Sequence, residues 1–353
     1  MSLGDWGWDE RWAAEASALG ADPGTVARLV GQDRGSFAIE TSHGPEPARI
    51  PSAKSLLPSP VVGDWVIAEP GPMPTDPRSL VGVLPRRSKI SRGAAGSGET
   101  EHILASNVDR IWIVQGLDVD LNPRRVERYL AVAWESGASP EVILTKADLA
   151  DDVEAEVSRY QAVTLGVPIR AVSSDDPVRV EELRGTLDPG QTVCLLGPSG
   201  VGKSTLVNLL AGVTVARTGE VRAADQKGRH TTTRRELFQI PGGALLLDTP
   251  GIRELRIWVL GEGLVQAFPD IEELGEGCRF RDCRHETEPG CAVLAAAERG
   301  ELDPARLRSF RKLQAEAAHE ARKADPRARA AAVSDHKSAL KTMKYHLKYR
   351  RPT

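Results

Sequence analysis

Gly197-Pro198-Ser199-Gly200-Val201-Gly202-Lys203-Ser204-Thr205 is the stretch that decides how this chain is built. It fits the phosphate-binding pattern G-x-x-x-x-G-K-[ST] without a departure. The run Thr192 to Leu196 reads as a short buried strand, the glycines as a loop, and Ser204 to Ala211 as a helix stopped by Gly212. In such a strand-loop-helix, main-chain N–H groups turn inward around phosphates and the helix N-terminus adds partial positive charge. Lys203 reaches the β- and γ-phosphates, and Ser204 offers its hydroxyl to Mg²⁺. A Gly-rich turn that merely caps a helix is the bland alternative, and the preceding strand argues against it.

Working outward, buried strands alternate with helices. Arg110–Val114 is strand-like, Pro123–Glu135 is helical with Val126, Leu130 and Ala133 on one face, and Glu141–Leu144 is a strand. Asp151–Leu165 is helical, while Pro168–Val172 and Ala244–Leu247 are strands. This predicts a parallel α/β sheet with its functional residues at strand ends.

Strand Glu141–Leu144 runs into Thr145-Lys146-Ala147-Asp148, which resembles the [N/T]KxD element by which GTPases choose guanine. Asp148 would accept hydrogen bonds from the guanine N1–H and exocyclic amine, which adenine does not present in the same way, while the Lys146 stem packs over the base. Thr145 replaces the commoner Asn; its shorter side chain cannot make the same amide contacts, though the discriminating carboxylate remains. Val172-Ser173-Ser174 resembles the short loop whose backbone closes over the base.

Downstream, Asp248-Thr249-Pro250-Gly251 resembles DxxG, in which Asp248 holds Mg²⁺ through water and the Gly251 N–H senses the γ-phosphate. Between lies Gly228-Arg229-His230-Thr231-Thr232-Thr233, where Thr232 or Thr233 would complete the magnesium shell; the sequence does not separate the two. Ile252 stands where Ras-like enzymes place the glutamine that orients the attacking water. Intrinsic hydrolysis should therefore be slow, with a partner or a swung-in His230 positioning the water. A solvent-exposed switch residue is the plain alternative for His230.

Guanine element, base-closing loop, phosphate loop, first switch and second switch follow one another in that order, whereas Ras-like GTPases begin with the phosphate loop. The domain is circularly permuted. The second switch leads straight into the C-terminal region, so hydrolysis could reorient that region relative to the sheet.

Before the sheet, short β-like runs at Thr25–Val30, Ser36–Thr41, Pro47–Ile50, Asp64–Ala68 and Leu80–Leu84 are separated by Gly, Pro and Asp turns, predicting a five-stranded OB-type barrel, with an SH3-like barrel as alternative. The N-terminus holds three of the seven tryptophans and an alanine-rich stretch, Ala13–Leu19, that could be a short helix; it carries no functional reading. Arg86-Arg87-Ser88-Lys89-Ile90-Ser91-Arg92 reads as a basic connector, either a solvated linker or a phosphate-contacting edge of the barrel.

Cys278, Cys283, His285 and Cys291 form C-x₄-C-x-H-x₅-C, three thiolates and an imidazole. That is a closed tetrahedral zinc set with no open position for substrate, hence a structural site. Arg279, Arg281 and Arg284 put positive charge around the knuckle, which suits phosphate contacts. Beyond it, Asp303 and Pro304 start a helix through about His319, and His336–Arg350 is a second amphipathic candidate carrying Lys337, Lys341, Lys344 and Lys348.

The 353 residues suggest two to three domains, with expected boundaries at 1–24 for an N-terminal extension, 25–92 for the barrel, 93–262 for the permuted GTPase domain and 263–353 for a mostly helical zinc-knuckle domain with basic helices. A net charge of -3 does not announce a nucleic-acid binder, yet residues 304–353 carry 14 Lys/Arg against four acids, which points to RNA contact at that end. No apolar run is long enough to cross a bilayer and the N-terminus is wrong for a signal peptide, so the expectation is a cytoplasmic chain with no membrane partner. Clustered cysteines fit metal in a reducing compartment, and Cys194, in the strand feeding the phosphate loop, reads as a small buried residue.

Taken together, the permuted order, the barrel and the cysteine-histidine knuckle resemble the RsgA (YjeQ) family of small-ribosomal-subunit-dependent GTPases. Val62-Gly63-Asp64-Trp65-Val66, Arg86-Arg87-Ser88 and Asn107-Val108-Asp109 add to the resemblance, which runs from about Gly24 to Phe310. It implies a monomeric GTPase using GTP, Mg²⁺ and one structural Zn²⁺, which binds the small subunit and its rRNA late in maturation, is stimulated by it and leaves after hydrolysis. A permuted GTPase acting on the large subunit or another RNA, and an RNA-binding module with incidental hydrolysis, are the competing readings.

Overall fold

The computed structural model describes residues 2–33, 35–51, 58–73, 75–93, 101–118, 122–215, 235–248 and 261–324. Five strands close the expected barrel: β1 (Val26–Asp33), β2 (Ser36–Thr41), β3 (Gly44–Arg49), β4 (Trp65–Glu69) and β5 (Arg78–Val83). They pair in the order β1-β2-β3-β5-β4 and back to β1, with β3 and β5 parallel. Closure leaves the barrel no free edge except where β1 runs past β4.

The next strands, β6 (Lys89–Gly93) and β7 (Glu101–Ser106), form an antiparallel hairpin. A parallel sheet follows, ordered β10-β9-β8-β11-β13, built from β8 (Arg110–Gly116), β9 (Ser139–Thr145), β10 (Ile169–Ala171), β11 (Thr192–Leu196) and β13 (Leu245–Asp248). Its helices are α2 (Pro123–Glu135), α3 (Val153–Thr164), α4 (Pro177–Arg184) and α5 (Lys203–Ala211). The first three each start at an Asn or Asp whose side chain accepts a backbone N–H of the first turn, and α2 and α4 carry proline at the first helical position.

The sheet is not wholly parallel. β12 (Arg235–Gln239) runs antiparallel to β13 and also pairs antiparallel with β1, Gly31 opposite Glu236 and Gln32 opposite Arg235. Barrel and nucleotide sheet are therefore one hydrogen-bonded surface of eleven strands.

The tryptophan-rich N-terminus, α1 (Glu10–Ala18) included, closes the base of this junction. Trp6 and Trp12 are buried, Trp8 meets the fully buried Trp65 edge-on at 4.7 Å, and Gly7 lies so close to Gly190 that a Cβ there would stand 2.6 Å from its carbonyl oxygen.

Arg86 and Arg87 do not belong to a solvated linker. Arg86 donates two hydrogen bonds of 2.7 Å to Asp64, which is buried on β4's approach and also accepts from Ser106 at 2.6 Å and the Val61 N–H at 2.8 Å. Arg87 pairs with Asp9 and lies 3.7 Å above the Trp12 ring. Charges read as solvated are consumed by acids far away in sequence. Residues 94–100 lie outside the described part.

Among the described residues four further helices follow: α6 (Glu262–Ala267), α7 (Pro269–Gly275), α8 (Ala292–Glu298) and α9 (Pro304–Ala324). They dock on α2. Gly263 passes so near that a Cβ would meet the Ala131 carbonyl oxygen at 2.3 Å, and the Glu135 carboxylate accepts the Gly261 and Gly263 N–H groups at 2.8 and 2.9 Å. Arg306, at 3% exposure, donates to Glu127, Asp270 and the carbonyls of Val163 and Ala267.

Candidate nucleotide site and metal knuckle

Chain order runs outward from β8 through β9 to β10, then returns to β11 on the other side of β8. The gap between the ends of β8 and β11 is thus the topological switch point, where open α/β sheets bind ligands. The phosphate loop stands there. Gly197 has φ of +149°, and a Cβ on it would lie 2.3 Å from the Val114 carbonyl oxygen, so no other residue fits the β8–β11 crossing. Gly202, at φ +92°, caps α5 and opens its first N–H groups toward the loop. The Lys203 ammonium donates to the loop's own carbonyls, Gly197 at 2.8 Å and also Pro198, which places it inside the loop that would wrap phosphates.

Thr145 and Lys146 end β9 beside this loop. The Thr145 hydroxyl lies 3.1 Å from the Gln115 carbonyl oxygen and bonds that of Val201, so it ties the guanine element to the phosphate loop. That is a job a hydroxyl does without the reach of an amide. Lys146 adopts a left-handed conformation, φ +58°, and its ammonium pairs with Asp118. Such a backbone state in a lysine is uncommon and concentrates at functional sites.

Asp148 stands exposed on the following turn, accepting from the Ser173 hydroxyl, and Ser173 in turn accepts the Asp175 N–H at 3.1 Å. The two base-facing elements read from the sequence are thus brought into direct contact. Ser174 is exposed beside them.

Gly116 and Asp118 are site residues that sequence reasoning missed. A Cβ on Gly116 would lie 2.6 Å from Asp118 Oδ1 and 3.6 Å from both Lys146 Cδ and Val201 Cα, so the gap under the lysine stem exists only because residue 116 is glycine. The signal was available: a glycine ending a buried strand next to the switch point, followed by a carboxylate two residues on.

Ser204 lies in the first turn of α5, and Asp248 ends β13 at the same edge of the sheet. His230, Thr232, Thr233, Gly251 and Ile252 lie outside the described residues, as does the basic segment His336–Arg350.

The cysteine-histidine knuckle lies between α7 and α8. Cys278 Sγ is 3.8 Å from Cys291 Sγ and 3.6 Å from His285 Nδ1, His285 Nδ1 is 3.4 Å from Cys291 Sγ, and all four ligand atoms fall within 4.8 Å of one another. A tetrahedral zinc with ordinary bond lengths separates two sulfurs by about 3.8 Å and a sulfur from a nitrogen by about 3.5 Å. The donor set fits that ion. Burial raises the Cys278 thiol, but backbone N–H groups of Val293 and Ala292 at the start of α8 outweigh it and hold the thiol below its ordinary value. Burial, with the neighbouring thiols, pushes Cys283 up to about 11. Desolvation lowers His285, keeping the imidazole neutral as a ligand must be. On the knuckle's surface Phe280 is 42% exposed, with the Arg279 guanidinium 5.6 Å from its ring centre.

Cys194 is fully buried in β11. Among the described residues no helix is long and apolar enough to cross a membrane.

The family model described as RsgA GTPase matches residues 83–258. The chain is similar to a small ribosomal subunit biogenesis GTPase RsgA of Methanosarcina acetivorans, 47% identical over 75% of this chain and 72% of that one. A protein of the same name from Streptomyces coelicolor is 43% identical over 95% and 92% of the two chains. Among solved structures, YjeQ from Thermotoga maritima superimposes with a TM-score of 0.62 at 24% identity, covering 83% of this chain and 98% of that one. YloQ, a circularly permuted GTPase, superimposes at 0.61 with 22% identity over 83% and 95%.

Proposed function

The chain belongs to the RsgA GTPase family, and from that premise we propose that it hydrolyses GTP to GDP and phosphate in late maturation of the small ribosomal subunit, binding rRNA and being stimulated by the particle. The observation that carries the reading is that Thr145 bonds Val201 of the phosphate loop at the switch point while Asp148 and Ser173, from the two base-facing elements, bond each other on the adjoining turn. Asp148 selects guanine, Thr145 to Asp148 with Ser173 and Ser174 surround the base, and residues Gly197 to Thr205 hold the phosphates. Lys203 leaves its carbonyl partners to bind the β- and γ-phosphates. Ser204, Asp248 and either Thr232 or Thr233 hold Mg²⁺, which supplies charge neutralisation when bound.

Gly251 senses the γ-phosphate. Ile252 leaves the attacking water without a side-chain partner on that loop, so turnover waits for the particle, with His230 as the candidate water-positioning residue. Cys278, Cys283, His285 and Cys291 hold a structural Zn²⁺ that keeps the Arg279, Phe280, Arg281 and Arg284 face in shape for a phosphate-and-base surface. The protein works in the cytoplasm as a monomer, with no membrane partner.

Turnover of GTP and ATP with and without purified small and large subunits tests this. GTP alone should be used, slowly by the free protein and faster with small subunits only; stimulation by large subunits, or none by either, would sink it. Asp148→Asn should weaken GDP binding by roughly a hundredfold, since a charge-assisted pair of hydrogen bonds is lost. A chelator strong enough to strip zinc should unfold the knuckle and abolish stimulation while basal turnover persists.

A further inference from the structure

β10 is an edge strand, and the side it turns away from β9 borders a cavity of about 710 Å³. In the parallel register, Pro168 accepts from the Val142 N–H and the Val172 N–H donates to Leu144, so residues 168, 170 and 172 face β9. Ile169 and Ala171 therefore direct their N–H and C=O groups outward, and these have no partner among the described residues. The cavity is lined by the whole strand, by the start of α3 and by the inner turns of α4.

Its charge is one-sided. Asp148, Glu154, Asp175, Asp176 and Glu182 line it against two arginines, Arg170 and Arg179. Both arginines already have carboxylate partners, Arg170 with Glu141 at 2.6 Å and Arg179 with Glu182 at 3.1 Å. Leu149 and Val178, next in sequence to Asp148 and Arg179 on the flanking elements, are 60% and 65% exposed.

We propose that this groove docks an extended protein segment bearing lysine or arginine, which adds a strand beside β10 and sets its cations against Glu154, Asp175 and Asp176. Free backbone groups on a sheet edge supply register-fixing hydrogen bonds, and the flanking helices supply side-chain contacts, as in strand addition generally. The acidic lining repels RNA and anionic lipid and so narrows the occupant to a basic polypeptide. The groove stands apart from the zinc knuckle, so such a partner adds a contact on another side of the molecule. At one end the groove meets the base-facing residues Asp148 and Ser173, so the docked segment relies on Glu154, Asp175 and Asp176 and its binding is measured with GDP at saturation.

The test titrates the full chain against a fluorescent octapeptide of alternating valine and lysine, with a valine–glutamate peptide as control, read by anisotropy. Two variants probe the two halves of the argument. Ala171→Pro removes an outward N–H while keeping the bonds to β9, and Glu154→Lys reverses an exposed charge. Each should weaken the lysine peptide by about tenfold, the equivalent of one or two hydrogen bonds or one charge pair. The proposal fails if the glutamate peptide binds equally, or if Glu154→Lys, whose fold is at least risk, binds like the parent. A concentration-dependent dimer that Ala171→Pro abolishes, with no peptide binding, would put a second copy of the chain in the groove and overturn it as well.

Discussion

Arg28 and Arg306 occupy corresponding positions at the two junctions of the nucleotide sheet, and their surroundings differ in kind. Both are nearly inaccessible, at 2% and 3% exposure, and both lie over an aromatic ring, Trp65 at 4.9 Å and Phe268 at 4.7 Å. Arg306, which joins the C-terminal helices to α2, is held by two carboxylates, Glu127 at 2.9 Å and Asp270 at 2.6 Å. Arg28, which joins the barrel to β11, donates only to neutral oxygens, Asn107 O and Thr192 Oγ1, each at 3.2 Å, and its Nε has no partner among the described residues. Burial pushes the Arg28 guanidinium down to about 10, with Asp109 and Asp64 pulling the other way. One junction is an ion-pair lock, whereas the other is a sheet made continuous and a cation tolerated beside it.

The difference predicts unequal mutational costs. Arg306→Met should cost about 3–5 kcal/mol, because Glu127 stays buried with its remaining partner Arg124 only partly enclosed. Loss of hydrogen-exchange protection in α9 and α6 at a lowered melting temperature would register it. Arg28→Met should cost about 1 kcal/mol or less, since removing an underpaired buried cation relieves desolvation while the β1–β12 ladder remains. Equal losses in the two variants would erase the contrast.

The smallest effect concerns pH. The Arg87 hydrogen bond, against some desolvation, holds the Asp9 carboxyl below its ordinary range. A carboxylate with a depressed folded value stabilises fully above its unfolded value, about 3.9, and loses that contribution as pH falls through the folded value. Asp9 is half exposed, so less than about 1 kcal/mol is at stake. The stability of α1 in Asp9→Asn should therefore approach that of the parent as pH falls below the folded value of Asp9 and be slightly lower than the parent's at pH 7.

What the sequence disclosed depended on how local the cause was. Pro123–Glu135 has its cap, its proline and its apolar face within one segment, and its bounds are met at both ends. The phosphate loop and the knuckle are likewise local spacings. Arg86 and Arg87 were opaque, because their carboxylate partners, Asp64 and Asp9, stand tens of residues away and a run of cations looks the same whether solvated or clasped. The β6–β7 hairpin was opaque for another reason: β6 is mostly polar and ends in glycine, and the apolar part of β7 is only the short run Ile103 to Ala105. Glu141 offers a third case, an acid in a buried strand held by Trp112 Nε1 at 2.9 Å and by Arg170.

β1 changes partner part-way along. Val26, Ala27 and Arg28 belong to the barrel through β4, whereas Gly31 and Gln32 are laced to β12, which adjoins β13. Adjacent strands are rotated by about 20–25°. A change in that angle between β13 and β12 would therefore reach the barrel through the β1–β12 pairing. The C-terminal helices take no part in this, because they are bolted to α2, which covers the middle of the sheet. The two flanking modules are thus attached to different parts of the sheet, the barrel to its β12 edge and the C-terminal helices to α2 over its middle.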